Sequence, residues 1–139
     1  MSKHLAFLTI IAAVALVVSG CGGGPSTVPV SGKVTYQGKP LEFGTVMFQA
    51  ESGPIAKAEI QPDGTFTLTT DGDPGAVVGM HQVRVACFSN QAPDSPPPPP
   101  DREPTLGRPL IPIKYNNFDQ SGLVVEVTKG MEPVELNLQ

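Results

Sequence analysis

The sequence contains no tryptophan, two cysteines, two histidines, and only six phenylalanines and two tyrosines in 139 residues. At most one disulfide is available. A His-rich zinc site is out of reach, because His81 is the sole histidine after His4. Basic clusters are missing as well: nine Lys and Arg are scattered among 13 Asp and Glu, for a formal net charge of −4. Neutralising phosphates needs a basic face, so the composition argues against a nucleic-acid partner. After the first 20 residues no segment repeats its apolar residues with a 3.6 period, and 16 Pro with 15 Gly resist helical geometry throughout. These features speak against a helical bundle. The length speaks against a two-domain enzyme with a cleft between its domains.

What is present begins at the amino terminus. Lys3 and His4 precede an apolar run, Leu5 to Val18, whose only polar residue is Thr9. As a helix the run spans roughly 21 Å, short of the roughly 30 Å hydrocarbon core, so a secretory signal fits it better than a transmembrane helix. It ends Val18-Ser19-Gly20-Cys21, which resembles the lipobox of bacterial lipoproteins: an aliphatic residue, two small residues, then cysteine. The order has a chemical reason. The Cys21 thiol accepts a diacylglyceryl group as a thioether, and the small Ser19 and Gly20 let a signal peptidase reach the bond before Cys21. The resemblance implies removal of residues 1–20, acylation of the new amino group, and a short lipidated tether over residues 21–27, rich in Gly and Ser. Two or three acyl chains, at about 0.8 kcal/mol per buried CH₂, hold a membrane where one chain would not. With Cys21 as a thioether, Cys87 has no partner within the chain. Gly22 follows the cysteine in place of Asp. By analogy with enteric sorting this favours the outer over the inner membrane of a bacterial envelope.

From Val28 onward the apolar residues alternate with period two, the pattern of half-buried strands. Val28, Val30, Val34 and Tyr36 share one face of a first strand, and Gln37-Gly38-Lys39-Pro40 turns the chain. Thr45 to Gln49 turns Val46 and Phe48 inward, and Ile55 to Ile60 alternates Ala56, Ala58 and Ile60 with Lys57 and Glu59. Pro62-Asp63-Gly64 is a hairpin signal before Thr65 to Thr69, which presents Phe66 and Leu68. After the turn-rich stretch Asp71 to Gly79, Met80 to Phe88 carries Val83, Val85 and Cys87 on one face. Gly122 to Val127 and Val134 to Leu138 complete seven strands, which predict an all-β domain over residues 28–139, an antiparallel β-sandwich. Ser89 to Pro109 interrupts it with 8 of the 16 prolines, including Pro96 to Pro100. Such a stretch is expected to stay out of the ladders, as a polyproline II excursion or a mobile loop. It reads either as a solvated insertion or as a docking segment or spacer.

The stretch Val30-Ser31-Gly32-Lys33-Val34-Thr35-Tyr36-Gln37-Gly38-Lys39-Pro40-Leu41, continuing to Phe48, resembles the start of a carboxypeptidase-regulatory-like domain. Asp63-Gly64-Thr65-Phe66-Thr67-Leu68 is similar to that family's Asp-Gly-x-Phe-x-Leu hairpin, and Gly79 to Val85 to its Gly-x-Tyr-x-Val-x-Val strand, with His81 in place of the usual aromatic. Ile111 to Asn117 followed by Ser121 to Val127 looks like the end of a class of small bacterial lipoproteins carrying this domain. The resemblance implies a transthyretin-like, or prealbumin-like, seven-stranded Greek-key sandwich. It also implies a non-catalytic structural, folding or binding module, since no metallopeptidase part accompanies it.

A search for chemistry gives few candidates. His81 shares parity with Val83 and Val85 and is expected to face inward as a structural residue. A hydrolase built on it would need a nucleophile, and Cys87 lies six residues along the same strand, roughly 20 Å away. Cys87 itself reads as a small core hydrophobe, against a redox or nucleophilic thiol. Asp71-Gly72-Asp73 has the spacing of hard-cation ligands without the rest of a calcium loop, so a polar turn is the plainer reading. Lys114, Tyr115, Asn116, Asn117 and Phe118 combine a cation, aromatics and amides, a surface able to hold a sugar or a peptide. The competing reading is an edge-of-core aromatic followed by a turn. No catalytic residue, cofactor or metal is expected. The sequence thus describes a lipid-anchored, non-enzymatic envelope protein with a structural or a protein- or glycan-binding role. Its alternative is a substrate-binding accessory to an envelope transport or carbohydrate-processing system.

Overall fold

The computed structural model describes residues 26–139. The expected signal segment, Cys21 and most of the tether lie outside the described residues. Within them are twelve strands and no α-helix, where the sequence pattern predicts seven strands. The strands are β1 (Thr27–Val28), β2 (Ser31–Tyr36), β3 (Lys39–Pro40), β4 (Thr45–Ala50), β5 (Ile55–Glu59), β6 (Thr65–Thr67), β7 (Thr69–Thr70), β8 (Asp73–Pro74), β9 (Ala76–Val77), β10 (Gly79–Ala86), β11 (Leu123–Val127) and β12 (Val134–Leu138). Every expected segment carries a strand, and the larger count has local causes. The first segment divides at Pro29, which has no N–H to give a ladder. β1 pairs with β9 in a small separate sheet, while β2 joins a four-stranded one. The fourth divides at Leu68: β6 pairs with β2 in one sheet and β7 with β5 in another.

The two larger sheets run in the orders β11-β10-β4-β5-β7-β8 and β12-β2-β3, with β6 also on β2. Every pairing is antiparallel except β2 with β12, which is parallel. That pair corrects the expectation of a wholly antiparallel fold. No hairpin joins these two strands. β12 follows β11 in sequence and lies in the other sheet, so its direction is set by that crossing. Two-residue hairpins link β2 to β3 and β7 to β8. Their central residues Gln37 and Gly38, and Asp71 and Gly72, all have positive φ (50° and 79°, 50° and 93°), as turns matched to strand twist require. Asp71-Gly72 is accordingly the turn between β7 and β8, and Asp73 begins β8, paired with Thr70.

Alternation in the sequence becomes burial in the structure. Val30 and Val34 of the first segment, Val46 and Phe48 of β4, Ala56 and Ala58 of β5, Phe66, Val83, Val85, Val127, Leu136 and Leu138 form one hydrophobic cluster shared by both large sheets. Phe48 of one sheet meets Phe66 of the other with ring centroids 6.2 Å apart. The result is a sandwich-like all-β fold whose outer faces carry the polar residues.

The proline-rich segment is better tied than expected. Its ends close against each other: Ser89 N–H donates to Arg108 O at 2.9 Å, Leu110 N–H donates to Cys87 O at 2.9 Å, and Phe88 bridges Pro109. Pro109 enters a bridge because its two neighbours supply the bonds that its own nitrogen cannot. A short 3₁₀ turn, Ser89–Gln91, follows, fixed by Phe88 N–H on Gln91 Oε1 at 2.7 Å and by Gln91 Nε2 on Thr45 Oγ1 at 3.2 Å. This second bond ties the start of the loop to β4.

Candidate functional site

β10 is the central strand of the site. It alternates inward His81, Val83 and Val85 with outward Met80, Gln82 and Arg84. On the outer face Arg84 stands in register with Met47 of β4, and Gln82 with Gln49. Beyond β10 the chain returns as Ile113–Asn116, a 3₁₀ turn packed on that strand. Ser121 holds this return in place, its buried Oγ donating to Val83 O at 2.5 Å. Tyr115 is buried, and its hydroxyl exchanges hydrogen bonds with the backbone of Gln139.

This docking divides the five residues singled out in the sequence. Tyr115 enters the core. Lys114 lies with its Nζ 4.9 Å from the centre of the Tyr115 ring, and Asn117 Oδ1 accepts from Asp119 N–H at 2.8 Å. Asn116 and Phe118 are carried to Arg84, whose guanidinium sits 5.2 Å from the Phe118 ring centre and whose Nη1 donates to Asn116 O at 3.5 Å. Arg84 Nε and Nη2 point at Met47 Sδ, at 3.2 and 3.0 Å. No carboxylate accepts from Arg84 among the described residues.

Around this guanidinium lies a hollow of about 350 Å³ lined by Thr45, Met47, Arg84, Ala86, Phe88 and Asn116, with Asn90, Gln91 and Leu106 of the proline-rich loop as its far wall. The loop and the 113–118 segment, far apart in sequence, thus meet at one place. Arg84 and Met47 escaped the sequence reading. Strand parity does place Arg84 outside, but an outward arginine ordinarily just solvates a face, and its partner is 37 residues away. A second hollow of about 400 Å³ lies further along the same face, lined by Gln49, Glu51, Met80, His81, Gln82 and Val124. It offers amides, apolar surface and an imidazole, with Glu51 as its acid.

The other candidates are placed in the core. His81 is buried, with Nε2 2.7 Å from Val77 O and its ring 5.9 Å from that of Phe48. A carbonyl partner requires Nε2 to carry a proton, and Nδ1 has no partner among the described residues. Cys87 is buried, and that burial pushes its thiol pKa up, against thiolate chemistry. Asp63 is exposed at the hairpin before β6. Its Oδ1 accepts from Thr65 Oγ1 at 2.6 Å and from Thr65 N–H at 3.1 Å, which lowers its pKa. Among the described residues no group of three or more His, Cys, Asp or Glu is arranged to hold a metal ion. Comparison with protein-family models, with curated proteins and with solved structures finds no match to this chain.

Proposed function

We propose that the chain is a lipid-anchored, non-enzymatic lipoprotein of the bacterial envelope, whose carboxypeptidase-regulatory-like sandwich binds a partner at the Arg84 hollow. One structural observation carries the binding role. A half-buried guanidinium, 5.2 Å from the Phe118 ring centre, presents its donors to a thioether and a distant carbonyl in a hollow walled by a tied-down loop. An arginine beside an aromatic ring whose donors lack strong acceptors is a recognition group in waiting, because charge-assisted bonds are the strong ones. The anchor rests on Val18-Ser19-Gly20-Cys21, and outer-membrane placement on Gly22.

Two measurements in cells making the full chain test the two halves. Metabolic labelling with a palmitate analogue should mark the protein and be lost in Cys21→Ser; label retained in that variant would remove the anchor. A photo-crosslinking residue at Leu106 should give a discrete adduct, whereas one at the exposed Glu135 on β12 should not. An empty Leu106 position would remove the binding role.

A further inference from the structure

We infer that the Arg84 hollow takes the C-terminal carboxylate of a peptide whose last residue is apolar; this rests on the binding role proposed above for the same hollow. The Nε–Nη2 edge of an arginine is the edge that grips a carboxylate side-on through two parallel bonds. In Arg84 that edge is turned toward Met47 Sδ, at 3.2 and 3.0 Å. A thioether is a weak acceptor on a flexible, unbranched side chain. A carboxylate that displaces it exchanges a soft contact for a charge-assisted pair, with the Phe118 ring packed beside the guanidinium.

The remaining walls specify what accompanies the carboxylate. Ala86, Phe88, Leu106 and Met47 supply apolar surface beside the guanidinium, while the Asn116 amide can meet peptide N–H and C=O groups and Asn90, whose Nδ2 donates to Thr105 O, offers its Oδ1 as an acceptor. A carboxylate sharing one carbon with an apolar side chain is what the end of a peptide offers. Arg84 is the only cation in the lining, which suits a monoanion better than a phosphate dianion. An acidic glycan would want an open aromatic face for its rings, and the Phe118 ring already carries the guanidinium. Charges in the adjoining strand are balanced: Lys57 stands in register with Met47 and Glu59 with Thr45. A volume of about 350 Å³ lies at the small end of ligand sites, enough for a terminal residue and little more.

The test is fluorescence anisotropy on the purified full chain with a short labelled peptide ending in leucine. The free acid should bind at least about tenfold more tightly than the same peptide as its C-terminal amide. Arg84→Gln should bring the acid down to the level of the amide, and Arg84→Lys should recover only part, since it keeps the charge and loses the fork. An aspartate-ended peptide should bind less well than the leucine-ended one, and Leu106→Ser should narrow that difference. Arg84→Gln must melt at the parental temperature; if it does not, the acid-to-amide ratio on the parent chain decides alone. Equal binding of acid and amide, or tighter binding of an oligogalacturonate or a phosphoserine peptide, overturns the assignment. If that happens while the Leu106 crosslink persists, the hollow remains a binding site for another ligand. If the crosslink is also lost, both readings fall together.

Discussion

Replacing Gly32 by alanine opposes two expectations. Judged locally the change is favourable, because alanine loses less backbone freedom on folding, a gain of about 0.4–1 kcal/mol. Contacts across β2 reverse the sign. Gly32 lies mid-strand with Phe66 of β6 opposite on one side and Val134 of β12 on the other. A Cβ there would lie 2.3 Å from Val134 O, 2.7 Å from Phe66 Cζ and 2.9 Å from Phe66 Cε1. Carbon contacts are comfortable at about 3.5–4.0 Å, so the ring must retreat by roughly an ångström. Phe66 is buried with its far side against Phe48, so the retreat is passed into the core. The carbonyl has less freedom, being part of the parallel pairing of β12. Overpacking of this kind costs about 1–3 kcal/mol. Net of the backbone gain, Gly32→Ala should destabilise by about 1–2 kcal/mol. Urea unfolding should show a lower midpoint at an unchanged m-value. In a Phe66→Leu background the ring contact is gone and the carbonyl contact remains, so the cost of Gly32→Ala should shrink without vanishing. A Gly32→Ala chain as stable as its parent would refute this account of the packing.

Other expectations concern chemistry and assembly. In a chain carrying Cys21→Ser, Cys87 should resist a thiol reagent in the native state and react on denaturation, because burial withholds both access and thiolate; rapid native labelling would contradict its place in the core. The Asp63 pKa is lowered in the folded state, so the stability from its ionised form is present above the unfolded pKa and lost as pH falls through the folded value. Asp63→Asn keeps the acceptor and drops the charge. Its urea midpoint should lie below the parent's at neutral pH and meet it in acid, and a gap that persists in acid would show that charge is not the cause. Phe48→Ala should cost about 3–5 kcal/mol, since the ring is fully buried against Phe66 and His81; a loss under 1 kcal/mol would mean the core is looser than its contacts indicate. Truncation before Val134 should leave the rest protease-sensitive, and a compact fragment resistant to protease would overturn the role given to β12.

Period-two alternation made most of the inner faces legible, because a half-buried strand imposes its pattern residue by residue. Val83, Val85 and Cys87 needed no knowledge of their neighbours. What lay beyond reach was set by partners. Gly32 and Phe66 each belonged to a segment singled out in the sequence, yet nothing local says that the ring of one lies over the backbone of the other. The crossing at Leu68 was hidden because its inward parity holds in either sheet. The parallel pair β2–β12 has no turn between its strands to announce it. At the site, Lys114 to Phe118 was singled out for its mixture of side chains; the fold carries Asn116 and Phe118 to Arg84 and sends Tyr115 inward. Arg84 was missed because its meaning depends on Met47 and Phe118, neither of which is its neighbour in sequence.

The parallel pairing of β2 with β12 also sets an order in time. β2 meets β3 and β6 soon after it is made, but its other edge stays open until Val134 to Leu138 arrive to cover it. Contacts between such distant segments come late and slowly in folding. A growing chain therefore carries an unfinished four-stranded sheet through almost all of its synthesis, with the edge of β2 exposed. The strand that closes the fold is the last to be made.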